Sequence, residues 1–420
     1  MDTLQIVHAT DGCHGLPSRM KTKKFAAKDP SRWQASEVAK SQGEGAQAWH
    51  QYRYAVGHHL RKHPLSPWDE AAADAVEAAI KLPHAADAQA PDADLNAPFV
   101  QEELCSNIRR LLTDKATGPD GISNRMSQLG GDQFIRLLLL HLSDVWREST
   151  YPDQWASSSM QPLYKGDGKD REDPASYRGI FLSNAMLKLF EGILESRLKV
   201  FTEKFDTLTP SQLGSRPGRQ RHDAIYSLLA AIQQQKQSPQ KSMQGVTPSL
   251  GASYCGFVDF TTAYPSVHRE KLQMILKESG ITGKMWELLK ENSRKMRIRV
   301  LHPLITARNE VEVLRGLPEG SRLSPTLFAI FAADLIRELQ VKFPEITMPT
   351  APVLTWVGTI FYVDDAVLIA RSPEELQRML NVCQEWAERN RMSINVNKTK
   401  VVVFLEDPAM RNARPRFNFT

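Results

Sequence analysis

The stretch Phe361-Tyr362-Val363-Asp364-Asp365-Ala366-Val367-Leu368-Ile369 sets two adjacent carboxylates between apolar, strand-forming runs. Aspartate is a poor strand residue, and two side by side are costly to bury, so the pair calls for a reason. The pattern predicts a tight hairpin. Tyr362 and Val363 close one strand, the Asp pair forms the bend, and Ala366 to Ile369 opens the next. At such a bend both carboxylates converge on one point, where a hard divalent cation such as Mg²⁺ offsets their repulsion. Taken alone, the pair reads equally as a polar turn between two ordinary strands.

A third carboxylate lies upstream. Tyr254-Cys255-Gly256-Phe257-Val258-Asp259-Phe260 is a second apolar strand ending in a single Asp. Thr261 and Thr262 are candidate caps for a helix directly after it, with Pro265 near the first turn and Gly280 as the stop. Placed beside the hairpin, Asp259 completes a clamp for two metal ions, the arrangement that suits in-line phosphoryl transfer. Asp259, Asp364 and Asp365 are thus the candidate metal ligands and catalytic carboxylates.

These residues carry a family resemblance. Tyr362 to Asp365, with Phe257 to Tyr264 upstream, resembles motifs C and A of a reverse transcriptase palm. Arg315-Gly316-Leu317-Pro318-Glu319-Gly320-Ser321 and the run on to Phe328 resemble motif B, and Ser393 to Phe404 resembles motif D. Pro162 to Lys169 leading into Tyr177-Arg178-Gly179-Ile180, and Gln212 to Arg219, are similar to fingers motifs of non-LTR (LINE-type) retrotransposons. Lys115 to Ile122 resembles the segment that opens the polymerase region in that group. Order and spacing agree over about residues 100–405.

The resemblance implies an α/β (α+β) fold of right-hand polymerase type, with fingers and an antiparallel palm sheet packed by helices. It divides the chain into an N-terminal extension at 1–98, fingers at 99–250 and palm at 251–420. The implied activity is RNA-directed DNA polymerisation, extending a DNA primer on an RNA template with dNTPs and two Mg²⁺ ions, Mn²⁺ being the alternative. Asp259 and Asp364 would bind both ions and Asp365 would support them. Tyr264 matches the aromatic position that stacks under the incoming sugar and excludes a 2′ hydroxyl. Arg178 with Lys165 or Lys169 would grip the triphosphate. Pro318, Glu319 and Gly320 would lie against nucleotide and template, Arg216 and Arg219 would touch either one, and Lys398 would give a proton to the departing pyrophosphate. A nuclear location is implied by the resemblance alone, and a bilayer-spanning run is absent from the sequence. The alternative reading is an idle retrotransposon relic that only binds nucleic acid. An intron-type reverse transcriptase or an RNA-templated RNA polymerase is disfavoured, the first by the fingers motifs and the second by Tyr264.

Four departures stand out. Pro265 replaces a common second Asp of motif A, Glu319 replaces the commoner Gln of motif B, and Gly179 replaces the Pro after Arg178. The sequence ends 16 residues after Phe404, before any primer-grip hairpin or helical thumb, which predicts weak, distributive synthesis.

Composition agrees with a nucleic-acid partner: the 420-residue chain has a net charge of +5. Its four cysteines are scattered singly, which argues against a disulfide framework or zinc knuckle. Arg19 to Lys28 form a basic cluster, His50 to His63 lack ligand spacing, Asp69 to Ala79 read as an Ala-rich helix, and Pro83 to Pro98 as a linker. Residues 235–251 read as a Gln/Ser/Gly-rich insertion. Helices are expected over Glu102–Leu112, Phe134–Trp146, Asn184–Phe201, from Ser324-Pro325 onward, and from a capping box at Ser372 and Glu375 to about Arg391. Met296 to Leu301 and Val311 to Arg315 read as a paired ribbon.

Overall fold

The computed structural model describes residues 5–9, 92–113, 115–166, 168–173, 176–237, 252–302, 305–306, 310–347, 356–404 and 417. The basic cluster, the histidines, the Ala-rich helix and residues 238–251 of the insertion fall outside them.

Along the chain the elements run β1 (Gln5–Ala9), α1 (Gln101–Arg109), α2 (Asn124–Leu129), α3 (Gly131–Glu148), β2 (Ser157–Tyr164), β3 (Tyr177–Leu182), α4 (Ala185–Lys204) and α5 (Arg221–Gln237). Then come β4 (Ser253–Val258), α6 (Ala263–Ser266), α7 (Arg269–Glu278), α8 (Gly283–Arg294), β5 (Arg297–His302), β6 (Ile305–Thr306) and β7 (Val311–Glu312). The chain closes with α9 (Ser324–Lys342), β8 (Thr359–Tyr362), β9 (Asp365–Ala370), α10 (Pro373–Arg389) and β10 (Lys400–Phe404). The fold class is mixed α/β, as the motifs imply.

Contacts divide the chain into two compact units, each made of separate segments. One comprises Met1–Cys13, Leu194–Leu276 and Arg322–Thr420; the other comprises His14–Ile193 and Lys277–Ser321.

The first unit is built on a five-stranded sheet in the order β1-β10-β4-β9-β8. Strands β10, β4, β9 and β8 run antiparallel through three ladders, as expected, and β1 adds a parallel edge. Strand β9 is buried along Ala366 to Ala370 because helices cover the sheet. The stripe of α9 is core: Phe328, Phe331, Leu335 and Leu339 are fully buried. Trp386 of α10 meets Phe331 edge-on at 5.7 Å, an arrangement favoured by the ring quadrupoles. Its indole N–H donates to Asp334 Oδ1 at 2.8 Å, which satisfies the one polar atom of a buried ring.

Helix α10 starts where the sequence places it, with Ser372 Oγ accepting from Glu375 N at 3.1 Å. The other arm of the expected capping box is shifted by one residue. Glu375 Oε2 accepts from Arg371 N at 2.7 Å, and the Arg371 guanidinium draws the same carboxylate outward at 2.6 Å. A second correction falls after β4. The single helix expected from Thr261 to Gly280 is two, because Val267, at ψ 127°, leaves the helical conformation and His268 Nδ1 accepts from Lys271 N at 3.3 Å, capping α7 afresh.

The other unit packs a second sheet, ordered β3-β2-β5-β6 with β7 also on β5. The expected ribbon is confirmed in the antiparallel β5–β7 pair, though β7 is only two residues long. Asp120 Oδ2 accepts from Ala185 N at 2.7 Å, so the segment 115–122 caps α4. Phe99, Trp146, Tyr151 and Trp155 form a buried aromatic cluster about Phe190, with centroids 4.9–5.6 Å apart. The linker expected at 83–98 is corrected at its end. Leu95 is buried, and Asn96 Oδ1 accepts from Met285 N at 3.1 Å, so apolar burial and a hydrogen bond order residues 92–98.

Candidate active site

In the first unit the strand register fixes the carboxylates. Val258 pairs with Ala366 in the last rung of the β4–β9 ladder, so Asp259 leaves the end of β4 next to the start of β9, where Asp365 stands. Tyr362 pairs with Asp365, which leaves Val363 and Asp364 as a two-residue turn. The expected hairpin is therefore present but offset by one: Asp365 is the first residue of β9, not part of the bend. The physical reason lies in Val363, whose φ of 62° places it in the left-handed region and lets it turn the chain a residue early.

The bracing for that turn comes from Gln212, which is fully buried. Its Oε1 accepts from Val363 N at 3.1 Å and from Gly214 N at 3.0 Å, while Nε2 donates to Val363 O at 3.3 Å. Backbone bonds on either side, Phe361 N to Ser211 O and Leu213 N to Phe361 O at 2.8 Å each, dock the segment along β8. A Cβ at Gly214 would lie 2.3 Å from Val363 N, so only glycine allows this approach. Ser215 Oγ then meets Thr326 Oγ1 of α9 at 3.0 Å.

Asp259 is stitched to the segment before β10. Its carbonyl accepts from Asn395 N at 2.7 Å, its N–H donates to Thr399 Oγ1 at 3.2 Å, and Thr261 N donates to Ser393 O at 2.7 Å. Lys398 Nζ lies 3.5 Å from Asp259 Oδ2. Among the described residues that oxygen is shielded from solvent and receives no hydrogen bond, and the Lys398 ammonium stands beside it at ion-pair distance. Asp364 is half-buried and Asp365 exposed.

Among the described residues no three His, Cys, Asp or Glu side chains form a ready metal cage. The donors nevertheless fit a hard divalent ion in kind. They are carboxylate oxygens from adjacent strand ends, and Asp259 Oδ2 is a buried acceptor without a hydrogen-bond donor.

Tyr264 lies in α6, its ring centroid 5.3 Å from that of Phe328, so α9 supports the aromatic from below. Arg216 is placed otherwise than its resemblance implies. Nε and Nη2 donate to the two Glu203 oxygens at 2.7 Å each, and Nη1 to Thr209 O and Gln212 O at 3.0 and 3.4 Å. Only 7% of the side chain is exposed. Four hydrogen bonds thus tie its guanidinium into the fold.

Arg219 is half-buried in the same unit, and the remaining candidates belong to the other one. Lys169 and Arg178 are exposed and Lys165 half-buried, at the end of the β2–β3 hairpin where Arg178 pairs with Leu163. Pro318, Glu319 and Gly320 pack on β3: Phe181 N donates to Glu319 O at 2.7 Å, and Gly320, at φ 115°, has its Cβ position 2.6 Å from Phe181 O. The backbone there requires glycine twice over.

Sequence comparison now gives the class. Residues 165–419 match the family described as reverse transcriptase (RNA-dependent DNA polymerase), and the chain belongs to that family. It is 26% identical over 314 residues to the RNA-directed DNA polymerase from mobile element jockey of Drosophila funebris, covering 73% of this chain and 32% of that protein. The probable RNA-directed DNA polymerase from transposon X-element of Drosophila melanogaster is also 26% identical, with 73% and 32% covered. The retrovirus-related Pol polyprotein from type-1 retrotransposable element R1 of Bradysia coprophila is 23% identical, with 72% and 28% covered. The chain thus spans about a third of the length of the curated relatives it matches. These relatives bear out the resemblance read from the motifs.

Proposed function

We propose that the chain catalyses RNA-directed DNA polymerisation, adding dNTPs to a DNA 3′ hydroxyl on an RNA template. The observation that carries this is the register that ends β4 beside the start of β9, with Asp259 directly after the one, Asp365 opening the other and Asp364 on the adjoining turn, in a member of the reverse transcriptase family. Asp259 and Asp364 would hold two Mg²⁺ ions, or Mn²⁺, with Asp365 in support. Ions bound there supply Lewis-acid stabilisation of the attacking and leaving oxygens of an in-line displacement.

The protein groups have separate tasks. Tyr264, seated on Phe328, presents a flat face to the incoming sugar and leaves no room for a 2′ hydroxyl. Lys398 Nζ lies beside Asp259 and is the donor for the departing pyrophosphate. Lys165, Lys169 and Arg178 are assigned to the triphosphate, and Pro318, Glu319 and Gly320 to nucleotide and template. The first unit then serves as palm, the other as fingers. No described helix is long and apolar enough to cross a membrane.

The test is extension of a labelled DNA primer on an RNA template with dNTPs and Mg²⁺, run beside Asp364→Asn. Extension that falls by at least about a hundredfold in the variant supports the reading. Duplex binding by the wild type without any extension would instead support the idle relic.

A further inference from the structure

We infer that Gln212 is a positioning residue of the polymerase site: its carboxamide holds Val363 in the left-handed turn from which Asp364 and Asp365 project. The inference rests on the polymerase reading above but starts from a different observation.

Val363 stands at φ 62°. A β-branched residue is a rare occupant of that region, because its Cβ substituents crowd the backbone, and such strain persists only where the surroundings over-determine it. Three bonds from one buried side chain supply that determination. Gln212 takes the Val363 N–H on Oε1 and gives an Nε2–H to the Val363 carbonyl, so both backbone polar groups of the strained residue are fixed by a single amide. The same Oε1 accepts from Gly214 N, which orients the amide itself. Neither a carboxylate nor a hydrocarbon of that length makes this set: the first lacks the donor, the second lacks everything.

The consequence for chemistry is geometric. Asp364 follows Val363 directly, and Asp365 follows with its register partner Tyr362. A turn relaxed to negative φ at Val363 rotates the peptide plane that leads into Asp364 and redirects its carboxylate. Gln212 therefore touches no substrate, yet sets where the carboxylates stand. The sequence signal was present in the fingers-like segment Gln212 to Arg219, but attention there falls on the charged Arg216 and Arg219 rather than on the neutral amide.

The test uses the full chain with Gln212→Met, Gln212→Glu and Gln212→Met/Val363→Gly, read by amide hydrogen exchange and by single-turnover nucleotide addition. In Gln212→Met the Val363 and Gly214 amides are expected to exchange about tenfold faster or more. The Leu213 and Phe361 amides, held by backbone bonds, keep wild-type rates. The rate of addition falls about a hundredfold, as for other misplacements of reacting groups, with nucleotide KM and primer–template affinity unchanged. Val363→Gly in that background restores at least about tenfold, since glycine adopts positive φ without strain. Retained protection of the Val363 amide in Gln212→Met, or faster exchange with an unchanged rate of addition, overturns the inference. If Gln212→Met unfolds the unit, Gln212→Glu decides: a protected Val363 amide with a lowered rate supports the role, and a wild-type rate refutes it. A wild-type chain that extends no primer sinks the polymerase reading alone, and the exchange rates still decide whether Gln212 sets the hairpin.

Discussion

Replacing Arg216 with alanine separates two accounts of that side chain. As a nucleotide ligand, its loss would weaken dNTP binding and leave the fold untouched. The structure instead gives it four bonds within the fold, two of them charge-assisted contacts of 2.7 Å to Glu203. Breaking a buried ion pair costs about 3–5 kcal/mol, because a charge and its acceptors are left uncompensated. Here Glu203 keeps 36% exposure and is rehydrated once alone, which lowers the expected cost to about 2–3 kcal/mol. For a unit of roughly two hundred residues that is a fall of about 5–10 °C in melting temperature. Arg216→Lys keeps the charge but not the planar fork, and should lose about half as much. Glu203→Ala is the control: on the stability account it destabilises at least as much as Arg216→Ala, because the guanidinium it leaves behind is only 7% exposed, and the double variant shows coupling of at least about 1 kcal/mol. Thermal melts followed by circular dichroism, beside dTTP binding measured by fluorescence, read both quantities. An Arg216→Ala protein that melts like wild type and binds dTTP tenfold more weakly would refute the argument.

Two further predictions follow from the same unit. Asp334 has its carboxyl raised above the ordinary range, chiefly by burial, against the lowering influence of Lys271 and of the Trp386 hydrogen bond. A raised native value means that the folded state binds the proton more readily, so this group's contribution to stability declines as pH rises from its unfolded value toward and through its folded one. Asp334→Asn keeps an acceptor for Trp386 and removes the titration. Its stability relative to wild type, from urea melts at pH 4 to 7, should therefore rise with pH, and a flat or falling difference would contradict the assignment. At the sugar face, Tyr264→Ala should raise ribonucleotide use relative to deoxynucleotide use by about tenfold or more, measured as the ratio of kcat/KM for UTP and dTTP. An unchanged ratio would place the steric discrimination elsewhere.

What the residues announce, and what they hide, follows from range. Strand ends punctuated by Asp259 and by the Asp364–Asp365 pair are local patterns, and the register brings those positions to one sheet edge. The α9 stripe and the Ser372 cap are local too, and both appear as read. The misreadings arise where a residue's partner is distant or its backbone state is unusual. Nothing in the letters shows that Val363 adopts positive φ, so the turn is read one residue late. Arg216 looks like a free cation until Glu203, 13 residues back, folds against it. Gln212 reaches the hairpin across 151 residues of sequence, a separation that no periodicity encodes. The same holds for the compact units, whose segments interleave along the chain.

The strand order of the first sheet also bears on how the protein is made. Strand β4, which carries Asp259 at its tip, is hydrogen-bonded to β9 and β10 on its two sides. Both partners are encoded more than a hundred residues later. At ribosomal speeds of about 5–20 residues per second, β4 is polymerised roughly 6–22 seconds before β9 is complete. During that interval an apolar strand with two unpaired edges must be kept from other chains. The carboxylates therefore come together only once β9 has been made, and any transcript that stops short of β9 yields a protein with Asp259 and no hairpin to face it.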